Sequence, residues 1–329
     1  MAVVLGTTGN DRVEGTNAAD RIYGDPYTGT GLNIEPDAPG NLGDLMRGRG
    51  GNDRLEGDNG DDVITGDAVV VSGSARGGND RLGGGDGADA LSGDAYFYLS
   101  GDARGGDDRL DGGNGDDFLT GDVGYRMFDG AAGGGDVLRG GAGDDQLYGD
   151  VGAFMESSAR GGDDRLYGGD GDDTLSGDVG DVMWGGARGG NDVLRGGAGD
   201  DQLYGDVRGF AMEGGARGGD DVLDGGDGDD TLNGDAPGTA GAARGGGDAL
   251  TGGAGADRFH FAGSFGGDLV TDFSGSAGEG DALVFIGYAE SDLTVAPLSA
   301  GATLIAVGDG DAKVMVLGGP VAPGDVVFA

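Results

Sequence analysis

The sequence predicts an all-β fold, a solenoid of stacked coils about 28 residues long, each with three short strands, closed by a C-terminal β cap. Two observations carry the prediction. The phrase Gly-Gly-Asn/Asp/Gly-Asp-x-Leu begins at Gly50, Gly77, Gly105, Gly133, Gly161, Gly189, Gly218 and Gly245, in steps of 27 to 29 residues. A fixed period of this kind signals stacked coils, not a globular core gathered from distant segments. In addition, apolar residues recur at the same three places of every period.

Residues 105–132 show the elements in order. Gly105-Gly-Asp-Asp108 forms a first turn, followed by a short strand around Arg109-Leu110-Asp111. Gly112-Gly-Asn-Gly-Asp-Asp117 forms a second turn and leads into Phe118-Leu119-Thr120. Gly121-Asp122 opens a third corner, and Tyr125-Arg-Met-Phe128 is a third strand candidate. The Gly clusters permit positive φ at tight corners, and the apolar pieces between them are strand-length.

Stacking the periods makes three columns. The first runs Leu55, Leu82, Leu110, Leu138, Leu166, Leu194, Leu223, Leu250; the second runs Ile64, Leu91, Leu119, Leu147, Leu175, Leu203, Leu232. Leu99, Met127, Met155, Met183 and Met212 form the third. One inward side chain per strand predicts a thin, continuous core that no coil could build alone.

The composition points to metal. Of 60 acidic residues only seven are Glu, against 20 Lys plus Arg and a net charge of −40. Glu would solvate a surface as well as Asp does. A near-exclusive use of Asp among 84 Gly favours short ligands held by backbone geometry. The first turns end in Asp53, Asp80, Asp108, Asp136, Asp164, Asp192, Asp221 and Asp248; the second turns end in Asp62, Asp89, Asp117, Asp145, Asp173, Asp201, Asp230 and Asp257. These are the expected metal ligands. Calcium takes six to eight oxygens from carboxylates and carbonyls in flexible geometry, whereas Mg²⁺ demands a stricter octahedron. Ca²⁺, roughly one to two per coil, is therefore the expected cofactor; about one ion per turn would bring some 32 positive charges against the excess of acid. Without it, stacked carboxylates a few Å apart repel by about 1 to 4 kcal/mol per pair.

These residues resemble a known pattern. Gly169-Asp-Gly-Asp-Asp173-Thr-Leu175-Ser176 is similar to the glycine- and aspartate-rich nonapeptide of RTX (repeats-in-toxin) proteins. Gly6-Thr-Thr-Gly-Asn-Asp11-Arg-Val13 and Gly15-Thr-Asn-Ala-Ala-Asp20-Arg-Ile22 look like a worn N-terminal coil. The resemblance implies a right-handed parallel β-roll with Ca²⁺ between turns. It also implies secretion by a type I ABC exporter that reads an uncleaved C-terminal signal. Asp257-Arg-Phe259-His-Phe261, Asp268-Leu-Val-Thr-Asp272-Phe273 and Asp281-Ala-Leu283-Val-Phe285 resemble the β-rich domain that closes serralysin-like proteins, and the tail Asp325-Val-Val-Phe328-Ala329 looks like an exporter-read end. The expected domains are 1–49, an N-terminal cap coil with an unexplained insertion from Pro26 to Arg49; 50–257, the repeat solenoid; and 258–329, the cap with its secretion signal.

The chain also departs from that pattern. An ordinary coil of this family has 18 residues; here about ten more follow Asp67, Asp94, Asp122, Asp150, Asp178, Asp206 and Asp235. They form either a third strand with a triangular cross-section or a loop bulging from a two-sided roll, and the regular Met column favours the strand. The first turns carry Ala-Arg in place of the leading Gly-Gly, at Ala75-Arg76, Ala103-Arg104, Ala159-Arg160 and Ala187-Arg188, which leaves their calcium sites in question. These Arg are expected to bridge to carboxylates of adjacent coils. Tyr98, Phe128, Phe154, Trp184 and Phe210 neighbour the third column, so alternation turns several of these rings outward, unless a loop or the next coil covers them.

Several classes are disfavoured. There is no Cys, hence no disulfide or thiolate site. Strong acidity argues against a nucleic-acid partner, and no apolar run is long enough for a membrane span. The N-terminus lacks a secretory signal, so export without one is expected. One His, His260, permits neither a His-Glu-x-x-His zinc site nor a Ser/His/Asp set, and every acid belongs to a repeated set, so no enzyme is expected. The sequence is thus read as a secreted bacterial calcium-binding structural protein that folds on extracellular Ca²⁺ and self-associates at the cell surface or in the matrix as a layer, filament or adhesin. The alternatives are a module binding surface polysaccharide or assisting a secreted enzyme, and, third, an ice-binding solenoid.

Overall fold

A computed structural model describes residues 3–5, 12–15, 21–23, 45–46, 50–209, 211–240, 242–299, 301–308 and 312–329. Most of the N-terminal worn coil and of the Pro26–Arg49 insertion, and Phe210, lie outside these residues. Among those described, no helix is long and apolar enough to cross a membrane.

The fold is a parallel β-solenoid of about eight turns at 28-residue spacing. Each coil contributes one strand to each of three sheets. In the coil of residues 105–132 these are Arg109–Asn114, Phe118–Thr120 and Arg126–Phe128. Register places like upon like: Leu110 pairs with Leu82 and Leu138, Leu119 with Leu91 and Leu147, and Met127 with Leu99 and Met155. The three columns are therefore real files of stacked side chains, and all of them are buried. The extra ten residues make a third sheet, as the Met column predicts.

The core is continuous along the axis, as expected, but divided across it. The two Leu columns form one apolar cluster, together with the aromatic residues of the cap. The Met column forms another, completed by Val123, Val151, Val179 and Val207 and by Ala103, Ala131, Ala159 and Ala187. The reason lies where each extra segment leaves and rejoins its coil. There the N–H of Gly134 donates to the Asp122 carboxylate at 3.0 Å, and Gly162 and Gly190 do the same to Asp150 and Asp178 at 2.8 Å. This neck is polar, so each coil has two apolar lobes joined at a carboxylate waist, not one triangular interior.

Two further expectations are modified. Arg76, Arg104, Arg160 and Arg188 stack as an exposed parallel ladder. Among the described residues the ion pairs are Arg12–Glu14, Arg54–Glu56 and Arg126–Glu156, so these four Arg do not bridge to neighbouring carboxylates. Their backbone already fixes their spacing, and water solvates the heads at less entropic cost than pairing. Around the third column, Tyr96, Phe97 and Tyr125 are exposed, while Tyr98, Phe128, Phe154 and Trp184 are half-buried against one another.

At the C-terminal end, Arg258–Ala262 and Ala282–Ile286 continue one Leu-bearing sheet. Gly267–Phe273 and Lys313–Gly318 continue the other, which ends in the antiparallel strands Ala302–Val307 and Leu293–Ser299. Phe259, Phe261, Phe265, Phe273 and Phe285 fill the core here, replacing single Leu side chains with larger ones. His260 lies half-buried in this cap, its pKa lowered by burial and by Arg258.

Candidate metal centre

The second turn shows how the sequence builds a ligand. Gly113 and Gly115 have φ of +114° and +126°, a conformation that side chains resist, and this reverses the chain within a few residues. Asp117 at the turn's end then points inward. Its Oδ1 accepts the N–H of Asp89 in the preceding coil at 2.8 Å. Its Oδ2 is buried and has no hydrogen-bond partner. A Cβ built on Gly112 would lie 2.2 Å from this oxygen and 2.7 Å from the carbonyl oxygen of Gly140 in the next coil. Glycine thus keeps open a cradle in which a carboxylate and a carbonyl of successive coils converge.

The cradle repeats along the turn column. Asp145, Asp173, Asp201, Asp230 and Asp257 each expose one partnerless Oδ2 in the same way. Burial, opposed by the backbone hydrogen bond and reinforced by neighbouring acids, raises these carboxyls to about 7 at Asp117, Asp173, Asp201 and Asp257, and to about 6 at Asp89, Asp145 and Asp230. On the outer side, the N–H groups of Asp144, Asp172 and Asp200 donate to exposed carboxylates of the coil before, those of Asp116, Asp144 and Asp172.

The first turns build a parallel file. Asp80, Asp108, Asp136, Asp164, Asp192 and Asp221 each take up, through their backbone N–H, Oδ1 of the next coil's Asp at 2.7 to 2.9 Å. Oδ2 of Asp108, Asp136, Asp164, Asp192, Asp221 and Asp248 is buried and partnerless. Burial and adjacent acids push Asp108, Asp136, Asp192 and Asp221 well above the ordinary carboxylate range.

Of the sixteen sequence-derived aspartates, all are buried and all fall into these two files. Asp53 and Asp62 head them, with Oδ1 of Asp80 and Asp89 on their amides at 2.7 Å. Sequence reasoning missed the ends of the files. Asp268 accepts the Asp248 N–H and Asp281 that of Asp257, both at 3.2 Å, so the cap supplies one further member to each. The shortened 20- and 24-residue steps hid them from the period. It also assigned no ligand role to Asp67, Asp94, Asp122, Asp150, Asp178, Asp206 and Asp235 at the third corner, which are buried as well.

The donors are oxygen throughout, carboxylate and carbonyl, which is the set that suits a hard cation. A buried carboxylate oxygen without a hydrogen donor is costly unless a proton or cation meets it. No Lys or Arg does so among the ion pairs of the described residues.

No curated protein matches the chain in sequence. Among solved structures it is similar to the extracellular lipase LipA from Serratia marcescens, at 17% identity and a TM-score of 0.22, over 75% of this chain and 45% of that one. The chain therefore spans less than half of that enzyme's length. The family model of the RTX calcium-binding nonapeptide repeat matches residues 4–26, 40–68, 74–95, 102–126, 131–153, 158–183, 187–207, 216–236 and 243–263. With the repeat matched over well over half of its length, the chain belongs to the RTX calcium-binding repeat proteins.

Proposed function

We propose that this is a secreted structural protein whose coils close on extracellular Ca²⁺ and whose folded rods associate at the cell surface or in the matrix. The observation that carries the reading is the partnerless, buried Oδ2 repeated along both turn files. In this reading the sixteen aspartates from Asp53 to Asp257 are the calcium ligands, together with turn carbonyls. Ca²⁺ replaces the missing positive charge and ties each coil to the next. At low cytosolic calcium the repelling carboxylates keep the chain open for export; outside, at about 10⁻⁴ to 10⁻³ M Ca²⁺, the coils close. Residues 258–329 cap the rod and carry the signal read by a type I exporter. The protein performs no catalysis.

Association is assigned to the third sheet. Rings run along it from Phe97 to Tyr125, Phe154 and Trp184, with centroids 5.4 to 5.7 Å apart. Such a file favours contact with a second rod, and it equally suits sugar rings, which gives the polysaccharide-binding reading its own support. Sedimentation with circular dichroism, in chelator and in calcium, tests both. Expected are an expanded, β-poor chain in chelator and a β-rich assembly in calcium. A calcium-loaded protein that stays monomeric overturns the assembly reading; glycan binding abolished by Trp184→Ala then establishes the second. An unchanged spectrum overturns calcium-dependent folding.

A further inference from the structure

We propose that the third-corner aspartates and the first-turn aspartates together form an interior file of calcium sites at the waist between the two lobes, distinct from the second-turn sites. The inference rests on the calcium reading above and adds ligands, a location and a role for the extra ten residues.

The first turns carry Ala-Arg, as at Ala103-Arg104, where the second turns carry Gly-Gly, as at Gly112-Gly113. What the first turns face is a second carboxylate. A Cβ on Gly133 would lie 2.2 Å from Oδ2 of Asp122 and 2.1 Å from Oδ1 of Asp150; on Gly161 it would lie 2.1 Å from Oδ2 of Asp150 and 2.2 Å from Oδ1 of Asp178. Carboxylates of successive coils thus face each other across the space that glycine leaves. Beside them, a Cβ on Gly121 would lie 2.1 Å from Oδ2 of Asp136 and 1.9 Å from the carbonyl oxygen of Gly149. Four oxygens, three of carboxylates and one of a carbonyl, from three chain segments, therefore line one waist.

The neck amides of Gly162 and Gly190 meet Oδ1 of Asp150 and Asp178, but among the described residues no donor meets the second oxygen. Asp150, Asp178 and Asp206 have no exposed surface, and Oδ2 of each has no hydrogen-bond partner; the same is true of Oδ2 of Asp136, Asp164 and Asp192, which are at most 1% exposed. The last member of the file shows the assembled set most plainly. Carboxylate oxygens of Asp235, Asp248 and Asp268, all buried, lie within 4.8 Å of one another, a spacing that one ion can bridge. One third-corner and one first-turn carboxylate per coil carry two negative charges, which one Ca²⁺ neutralises within the protein interior. The second-turn sites have a single buried carboxylate each. Calcium at the waist would clamp Asp122 to the first turn and so hold the third sheet against the roll.

Anomalous diffraction from crystals of the full chain grown in CaCl₂ tests this directly. Peaks along both the second turns and the waist, the latter bonded to third-corner carboxylates, are the expected result. Peaks at the second turns alone, or waist peaks that leave Asp122 and Asp150 unligated, overturn the inference while the calcium reading stands. No peaks at all overturn both. In solution, Asp150→Asn with Asp178→Asn should bind roughly two fewer Ca²⁺ per chain by equilibrium dialysis. Asp145→Asn with Asp173→Asn reports on the second turns separately. A folded waist variant that binds as much Ca²⁺ as the parent counts against the proposal.

Discussion

At the scale of single residues, glycine sets how closely one coil can lie on the next. A Cβ on Gly134 would stand 1.4 Å from the carbonyl oxygen of Gly106. Neither backbone can yield without breaking register in both neighbours. Gly134→Ala is therefore expected to cost upward of about 3 kcal/mol, the top of the usual overpacking range, read as a lowered midpoint of unfolding in saturating calcium. Aspartate is the second such choice. One oxygen of Asp117 caps an amide of the coil below while the other faces the cradle, a division that Glu, one methylene longer, would not keep. The sixteen turn aspartates were legible because each ends a repeated phrase. The role of Asp122 was not, because its partners, Gly134 and Asp150, lie in the next coil, and nothing in the spacing says that the extra segment closes upon itself.

At the scale of elements, the strands are short, three residues at Gln146–Tyr148 and two at Phe154–Met155. Such strands do not stand on intrinsic propensity; they persist because each inward Leu or Met is sandwiched between identical neighbours. Leu147, fully buried between Leu119 and Leu175, is the clearest case. Leu147→Ala should lose about 2 to 5 kcal/mol. Because each coil touches only its neighbours, hydrogen exchange should quicken in the adjoining coils and less toward the cap. Uniform quickening along the rod would contradict this near-neighbour coupling. The three-column pattern foretold the strands and their register but not the division of the core. Columns show what stacks along the axis; which columns touch across it depends on the path of the corners.

At the scale of the whole molecule, charge governs the fold. Burial holds the second-turn carboxyls at about 6 to 7, above their ordinary value of 3.8. Ionising them therefore costs more in the coiled state than in the open chain. That penalty is absent below the ordinary carboxylate pKa, grows as pH rises, and is complete above about 7. Calcium-free protein should accordingly gain β-structure as pH falls from 8 toward 4. With calcium the sign reverses, because protons compete for the same oxygens, so the calcium midpoint should rise as pH falls through 7 to 5. Circular dichroism of dialysed protein, and calcium titrations at both pH values, measure the two trends. A calcium-free chain that loses structure on acidification would refute the carboxylate account.

The sequence by itself determined the period, the β-class, the inward Leu and Met files and the two aspartate files, since each depends only on what recurs at a fixed step and on the chemistry of Gly and Asp. Tertiary structure alone decided that the ten additional residues form a separate apolar lobe, that their entry and exit meet at a carboxylate waist, and that Asp268 and Asp281 of the cap extend the files. The physical reason is the direction of the contacts. Periodicity encodes neighbours along the solenoid axis, whereas the waist and the cap are contacts across it, fixed by backbone turns and by which buried oxygens must meet.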